Sequence, residues 1–464
     1  MKRLHAAFVL CALALPAAAD PPAKKTPLDD YLARPDPTYA WKLVKTTPGD
    51  GVTSYVLDLK SQSWRSPPEV DRPVWQHWLT IARPDKVTAD TALLVIGGGR
   101  NGGEAPAAAP ADAADRARRT GTVVVSLGQV PNQPLVFNKD GQGRSEDDLL
   151  AYCHIRFLET GDPTWVARLP MVKSAVKAMD AATEFLASAD GGKVAVKHFV
   201  VTGGSKRGWT TWLTGAVDPR VKAIVPVVID VLNVRPSMMN HYAAYGFWAP
   251  AVGNYAVQHK VMDRWDSPRM AELNAIEDPY SYLDRLTLPK YVVNAAGDQF
   301  FTPDSSKFYF DDLKGPKYLR YVPNGDHSLR GTDAADSVLA FYRAIVTGAP
   351  LPKFGWTMGK DGSITVTTET KPREVNLWQA TNPKARDFRL MTIGKAYRSS
   401  PLRPDEKGVY VGRVAKPEAG WTAFFVELVF DSGDEKAPYK FTTQVQVVPD
   451  VLPHSFDEFR KTLK

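Results

Sequence analysis

Ser205 stands in Val200-Val201-Thr202-Gly203-Gly204-Ser205-Lys206-Arg207-Gly208-Trp209, where an apolar run gives way to two glycines and then to a helix-like stretch. A serine on a tight strand-to-helix turn lifts its hydroxyl above a sheet, where a base can reach it. A serine hydroxyl is a poor nucleophile, so a histidine must take its proton and an acid must orient the imidazole. Both residue types follow in the chain order that such hydrolases use. Asp298 lies in Gly297-Asp298-Gln299-Phe300-Phe301-Thr302-Pro303, and His327 closes Pro323-Asn324-Gly325-Asp326-His327. Each comes just after an apolar run, where an α/β sheet carries its functional loops. Asp230, also at the end of an apolar run, is a second candidate acid, while Asp326 is adjacent to His327 and poorly placed to face its ring. The oxyanion of acyl transfer needs N–H donors. The Lys206 amide is one candidate, and Gly98 or Gly99 of Gly97-Gly98-Gly99-Arg100 is the other. That glycine loop lacks the lysine of a nucleotide-binding loop. Arg100 and Lys206 near one site would favour an anionic or carboxylate-bearing ligand. The elbow departs from G-x-S-x-G, because Arg207 holds the second glycine's place and Gly208 comes one later.

The elements needed to hold these residues are legible as alternating texture. Non-alternating apolar runs at 92–96, 123–127, 199–202, 223–229, 291–296 and 319–322 suit strands buried on both faces, with helix-like segments such as 172–187 and 334–346 between them. This predicts an α/β fold of the α/β-hydrolase type, with a mainly parallel sheet flanked by helices. Segments 52–59 and 74–82 read as an antiparallel hairpin at the sheet edge. Residues 20–50, rich in Pro and charge, read as a leader that wraps the domain. Residues 233–288 interrupt the alternation with many aromatics and methionines, as expected of a cap or of an ordinary helical excursion. After Pro350-Leu351-Pro352 the texture turns to short strands, including one expected at 388–393, separated by turn residues. The expected organisation is therefore a hydrolase-like domain over 20–350 and a β-sandwich-like domain over 351–464.

Lys2 and Arg3, an apolar run to Leu15 and Ala17-Ala18-Ala19 give residues 1–19 the pattern of a secretory signal peptide. That pattern places the protein outside the cytoplasm, secreted or periplasmic. Cys153 would be the one cysteine left in the mature chain, and a buried structural role is expected for it. The net charge of +7 is spread along the chain without a dense basic run, which argues against nucleic acid. No later segment is long and apolar enough to span a bilayer. The histidines other than His327 show no metal spacing, so neither a metal nor a cofactor is expected.

Several blocks together resemble the PhoPQ-activated pathogenicity-related family. They are Leu28-Asp29-Asp30-Tyr31 with Tyr39-Ala40-Trp41, Val130-Pro131-Asn132-Gln133-Pro134 with Arg144-Ser145-Glu146-Asp147-Asp148-Leu149, the Ser205 elbow, and the Asp298 and His327 loops. The resemblance implies a secreted or envelope-associated protein with a hydrolase-like domain, and one eukaryotic member acts as a secreted signal. It supplies no substrate. The elbow itself looks like the G-x-S-[KR]-x-G motif of glucuronoyl esterases, and by that likeness Lys206 assists Ser205. Glu146, Asp147 and Asp148 read as acidic residues at a helix start, favoured there by the helix dipole. Two functional expectations stand side by side. One is a serine hydrolase acting on a small-molecule or glycan-linked ester through Ser205, His327 and Asp298. The other is a secreted binding or signalling protein that keeps the fold without turnover, with Arg207 crowding the site.

Overall fold

The computed structural model describes residues 25–463, so the signal sequence expected at 1–19 lies outside the described residues. Helix α1 (Pro27–Ala33) starts on a capping box in which Thr26 and Asp29 satisfy each other's backbone N–H groups. Strands β1 (Ala40–Gly49), β2 (Val52–Ser63) and β3 (Val74–Pro84) form an antiparallel meander. The edge of the sheet is thus β1, and the expected hairpin lies one strand inward. The polar 20–50 segment was expected only to wrap the domain, but its second half is a strand. Its alternating partial burial, with Trp41 and Leu43 facing the core and lysines facing out, suits an edge that is wet on one side.

The chain then alternates through β4 (Thr91–Ile96), α2 (Ala111–Thr120) and β5 (Val124–Leu127). A short ribbon of β6 (Leu135–Val136) and β7 (Gly143–Arg144) leads into α3 (Glu146–Thr160) and α4 (Arg168–Ala187). The alternation resumes with β8 (His198–Gly204), α5 (Lys206–Val217) and β9 (Val221–Val227). After helices α6 (Val234–Tyr245) and α7 (Pro268–Glu277) it ends with β10 (Lys290–Ala295), β11 (Lys317–Val322) and α8 (Ala334–Thr347). The nine strands lie in the order β1-β2-β3-β5-β4-β8-β9-β10-β11. From β5 to β11 every pairing is parallel. Reversal of strand order at β4 and β5, followed by a monotonic run, is the arrangement of the α/β-hydrolase sheet. All six residues of β10 are buried, as both-face coverage by helices requires. Cys153 is fully buried in the main core, and burial raises its thiol pKa, which agrees with a structural role.

Beyond residue 350 the strands are antiparallel. β12 (Phe354–Met358), β13 (Ile364–Thr368) and β16 (Tyr410–Gly412) form one sheet; β14 (Glu374–Asn382), β15 (Arg398–Pro401), β17 (Trp421–Phe430), β18 (Tyr439–Thr442) and β19 (Gln446–Val448) form the other. Their inner faces share a core that includes Ile364, Val366, Leu377, Phe424, Val426 and Phe441. The strand expected at 388–393 is instead a helical turn, α9 (Leu390–Ile393). Asp387 caps that turn's start through the Arg389 N–H and also holds the Arg389 guanidinium, and this local pairing replaces a sheet ladder. The C-terminal region is seated on the main sheet through Tyr291 Oη, which donates to the Lys440 carbonyl at 2.6 Å, and Thr442 Oγ1, which accepts from Tyr321 N at 2.9 Å. The chain closes with α10 (Phe456–Thr462), whose Phe456 and Phe459 rest against Tyr242 and Trp248 of the 233–288 segment.

Candidate active site

Ser205 occupies the sharp turn between β8 and α5 with φ 57° and ψ −127°. A non-glycine residue rarely takes such a conformation, and it persists only where the surroundings over-determine it. Here the Ser205 N–H donates to Val227 O on β9 at 2.8 Å, and Trp209 N donates back to Ser205 O at 3.0 Å. Two glycines make the turn sterically possible. A Cβ on Gly203 would lie 2.8 Å from the Arg207 carbonyl oxygen, and one on Gly208 would lie 2.9 Å from the carbonyl oxygens of both Gly203 and Val227. The second glycine therefore sits three residues after the serine because Gly208, not residue 207, is where α5 crosses the sheet most closely.

Position 207 is free to carry a long side chain, and that chain reaches the Gly98 loop, Val130 and Glu146. Arg207 Nε donates to Val130 O at 2.6 Å, and its Nη2 binds Glu146 Oε1 at 2.6 Å. Lys206 turns the same way, its Nζ lying 2.9 Å from Glu146 and 3.2 Å from Asp147. Partial burial opposes charge on Glu146, but hydrogen bonding from Arg207 and the nearby Lys206 charge outweigh it and bring the carboxyl down to about 2. Glu146 and Asp147 begin α3, as the dipole argument expects, yet they also clamp the elbow. No spacing in the chain pairs residue 146 with 207, which are 61 positions apart. The clamp also corrects the expectation of an anionic ligand drawn to Arg100 and Lys206. The Lys206 ammonium is already paired with two carboxylates, and Arg100 is exposed in a groove on the 97–99 loop, beside Trp78 and Gly103, and not in the cavity that Lys206 lines.

Asp298 and His327 follow β10 and β11, so both loops emerge at the same sheet end as the elbow after β8. His327 Nδ1 lies 2.8 Å from Asp298 Oδ2. The other carboxylate oxygen of Asp298 accepts the Phe300 N–H at 2.7 Å, and Gln299 Oε1 accepts the His327 N–H at 3.1 Å. The ring of Phe300 covers the imidazole, with centroids 4.3 Å apart. His327 Nε2 is buried and has no hydrogen-bond partner among the described residues, Ser205 included. With Nδ1 directed at the acid, the second ring nitrogen is left to serve as base. Apo sites of this type often tighten only around substrate. Asp230, the alternative acid, is remote from this pairing: Tyr309 Oη and Tyr321 Oη donate to its two oxygens at 2.6 Å each. Gly97, Gly98 and Gly99 follow β4. Their carbonyls accept from Val130 N, Gln129 N and Gln133 Nε2, which fixes the loop beside the elbow. A Cβ at Gly98 would lie 2.6 Å from Arg207 Nη2, so the guanidinium packs directly against this loop. The first N–H groups of α5, Lys206 foremost, have no partner within the helix.

Ser205 opens on a cavity of about 100 Å³ roofed by the 233–288 segment. The segment is tied to α3 by Tyr255 Oη, which donates to Asp147 at 3.0 Å, and by His259, which pairs with Asp148 at 2.6 Å. The roof falls in the 233–288 segment, which reads from sequence as a cap or as a helical excursion. Phe300 and Phe301 carry no such mark, since an aromatic in a loop reads equally as core.

The strand order and the elbow define an α/β-hydrolase fold. The family model for PhoPQ-activated pathogenicity-related protein matches residues 28–389. The autocrine proliferation repressor protein A of Dictyostelium discoideum is 42% identical over 459 residues, covering 92% of this chain and 91% of its own length. The chain belongs to the PhoPQ-activated pathogenicity-related family. Among solved structures, acetyl xylan esterase 1 from Thermoanaerobacterium sp. JW/SL YS485 is 15% identical with a TM-score of 0.49, covering 68% of this chain and 93% of that one. An acetyl xylan esterase from Paenibacillus sp. R4 is 15% identical with a TM-score of 0.47, over 69% and 93%.

Proposed function

We propose that the protein is a secreted serine hydrolase acting on carboxylic esters through Ser205, His327 and Asp298. The observation that carries this reading is the pairing of His327 Nδ1 with a buried carboxylate, which leaves Nε2 unpartnered, on the same sheet end as a serine in a strained elbow. In the proposed reaction Ser205 Oγ bonds to the ester carbonyl carbon while its proton passes to His327 Nε2. The Lys206 N–H and a glycine N–H at Gly98 or Gly99 hold the oxyanion. The C–O bond to the alcohol then breaks, and the imidazolium protonates the departing oxygen. Water, deprotonated by the same nitrogen, releases the acid and restores the serine. Asp298 stays ionised and orients the ring. Secretion rests on the leader pattern of residues 1–19.

The second reading, a signalling protein on a hydrolase fold, draws on the repressor relative's name. Arg207 bears on it at one place, the Gly98 loop, against which its bonds to Val130 and Glu146 hold the guanidinium. Labelling of the mature protein by a fluorophosphonate probe separates the two. Wild type is expected to label, whereas Ser205→Ala and His327→Ala are not. A folded wild type that stays unlabelled would put the signalling reading first.

A further inference from the structure

We infer that the cavity at Ser205 is an acyl pocket for an unbranched apolar chain of about four to six carbons, so the preferred substrates are esters of short fatty acids and not acetyl or uronate esters. This rests on the hydrolase reading above and specifies its substrate class.

The first step concerns which half of an ester enters the cavity. The departing alcohol must lie against His327, which protonates it. His327, Asp298 and the glycine loop are not among the residues lining the cavity, whereas Ser205 and Lys206 are. Phe300 and Phe301 line it and also pack on the imidazole, with ring centroids 4.3 and 6.0 Å from that of His327. The cavity therefore adjoins the nucleophile without adjoining the general acid, as a pocket for the part that stays bound to serine would.

The second step concerns chemistry. Six ionisable side chains line the cavity, and most of their polar atoms are engaged with one another. Arg168 donates to Lys206 O at 3.3 Å and lies 4.6 Å above the Trp209 ring. His154 Nε2 is 2.9 Å from Glu277 Oε1, and Arg168 Nε faces Glu277 Oε2 at 3.9 Å. Asp147 receives both Tyr255 and Lys206. The wall atoms left without a hydrogen bond among the described residues include Arg168 Nε, Glu277 Oε2 and Trp265 Nε1, all of them buried, a sparse set beside the many hydroxyls of a sugar ring. Instead it is Met238, Met262, Trp265, Met270 and Leu273 that present the roof. Methionines are unbranched and polarisable, and they adapt to a flexible chain. A volume of about 100 Å³ compares with the ~150 Å³ engineered cavity that takes a six-carbon ring.

Each buried methylene is worth roughly fourfold in the specificity constant. Wild-type protein is therefore expected to show kcat/KM rising about fourfold per methylene from p-nitrophenyl acetate through butyrate to hexanoate, then falling at laurate. Varying the size of the alcohol of an acetate ester at constant leaving-group pKa should change kcat/KM less than threefold. Leu273→Trp should lower the hexanoate-to-acetate ratio at least tenfold, and Met262→Phe provides a second, smaller filling should the first variant fold poorly. Fluorophosphonate labelling accompanies every assay. If wild type labels but prefers acetate or uronate esters, or if its steep dependence is on the alcohol, the acyl-pocket inference fails and the hydrolase reading stands. If the folded protein neither labels nor turns over any ester, both fail.

Discussion

Two aspartates sit at the ends of neighbouring strands, Asp230 after β9 and Asp298 after β10, and both are buried. Asp298 gives one oxygen to His327 Nδ1 and the other to a backbone N–H. Asp230 gives both oxygens to phenols, Tyr309 and Tyr321. Burial pushes the Asp230 carboxyl up to about 8 even though both phenols favour its charge, and the Asp298 charge adds to the rise. The same residue type at equivalent strand ends thus meets two environments. One matches a carboxylate that must stay charged beside an imidazole, and the other matches a group that keeps its proton at neutral pH. Position at a strand end marks a candidate acid, and the partner's chemistry decides its role.

Exchanging the two carboxylates for amides is the sharpest break of this comparison. Asp298→Asn should cost about 10⁴-fold in kcat, because the imidazole loses its orienting acceptor and takes the wrong tautomer. Asp230→Asn should cost less than threefold, since the residue touches neither Ser205 nor His327. Ester hydrolysis by the two purified variants, with circular dichroism to establish folding, checks both. Equal losses would mean that Asp230 supports the base. The elbow clamp gives an intermediate effect. Glu146→Ala leaves Lys206, whose side chain is 7% exposed, with only Asp147, and releases Arg207. Removing one partner of a buried ion pair costs ~3–5 kcal/mol. The Glu146 carboxylate is 41% exposed, and solvent screening reduces the expected loss to about 1–2 kcal/mol by urea unfolding. Glu146 is depressed when folded, so its contribution is present above the unfolded value near 4.5 and is lost as pH falls towards 2. Glu146→Ala should therefore flatten that acid limb.

Much of this arrangement is visible in the chain because strands buried on both faces leave continuous apolar runs, and loops after them carry the chemistry. Ser205, Asp298 and His327 are each announced by such a run, and glycines announce the elbow. The edge strand β1 escaped because lysines and prolines mask a strand that buries only one face. The turn at Leu390–Ile393 escaped because the Asp387–Arg389 pairing overrides local strand propensity. The clamp and the Phe300 cover over His327 escaped for a different reason: contacts between residues 146 and 206, or between Phe300 and His327, exist only after the sheet has brought distant loops together. Apolar side chains also carry no mark that separates a cavity wall from a core.

The Asp230 half of the comparison can also be tested by stability alone. Its folded pKa, about 8, lies above the ordinary carboxylate value of 3.8. The folded state therefore binds a proton that the unfolded state gives up once pH exceeds that value. Stability from this group is fully present below about 4 and declines as pH rises towards 8. Asp230→Asn keeps the shape and removes the titration. The phenols can rotate their hydroxyls to donate to the amide oxygen and accept from its nitrogen. The difference in Tm between wild type and variant should therefore move in the variant's favour as pH rises from 4 to 8, and level off above it. A difference that is constant across that range would mean that Asp230 carries its charge in the folded protein. The two strand-end carboxylates would then be electrostatically alike, and only the histidine would distinguish them.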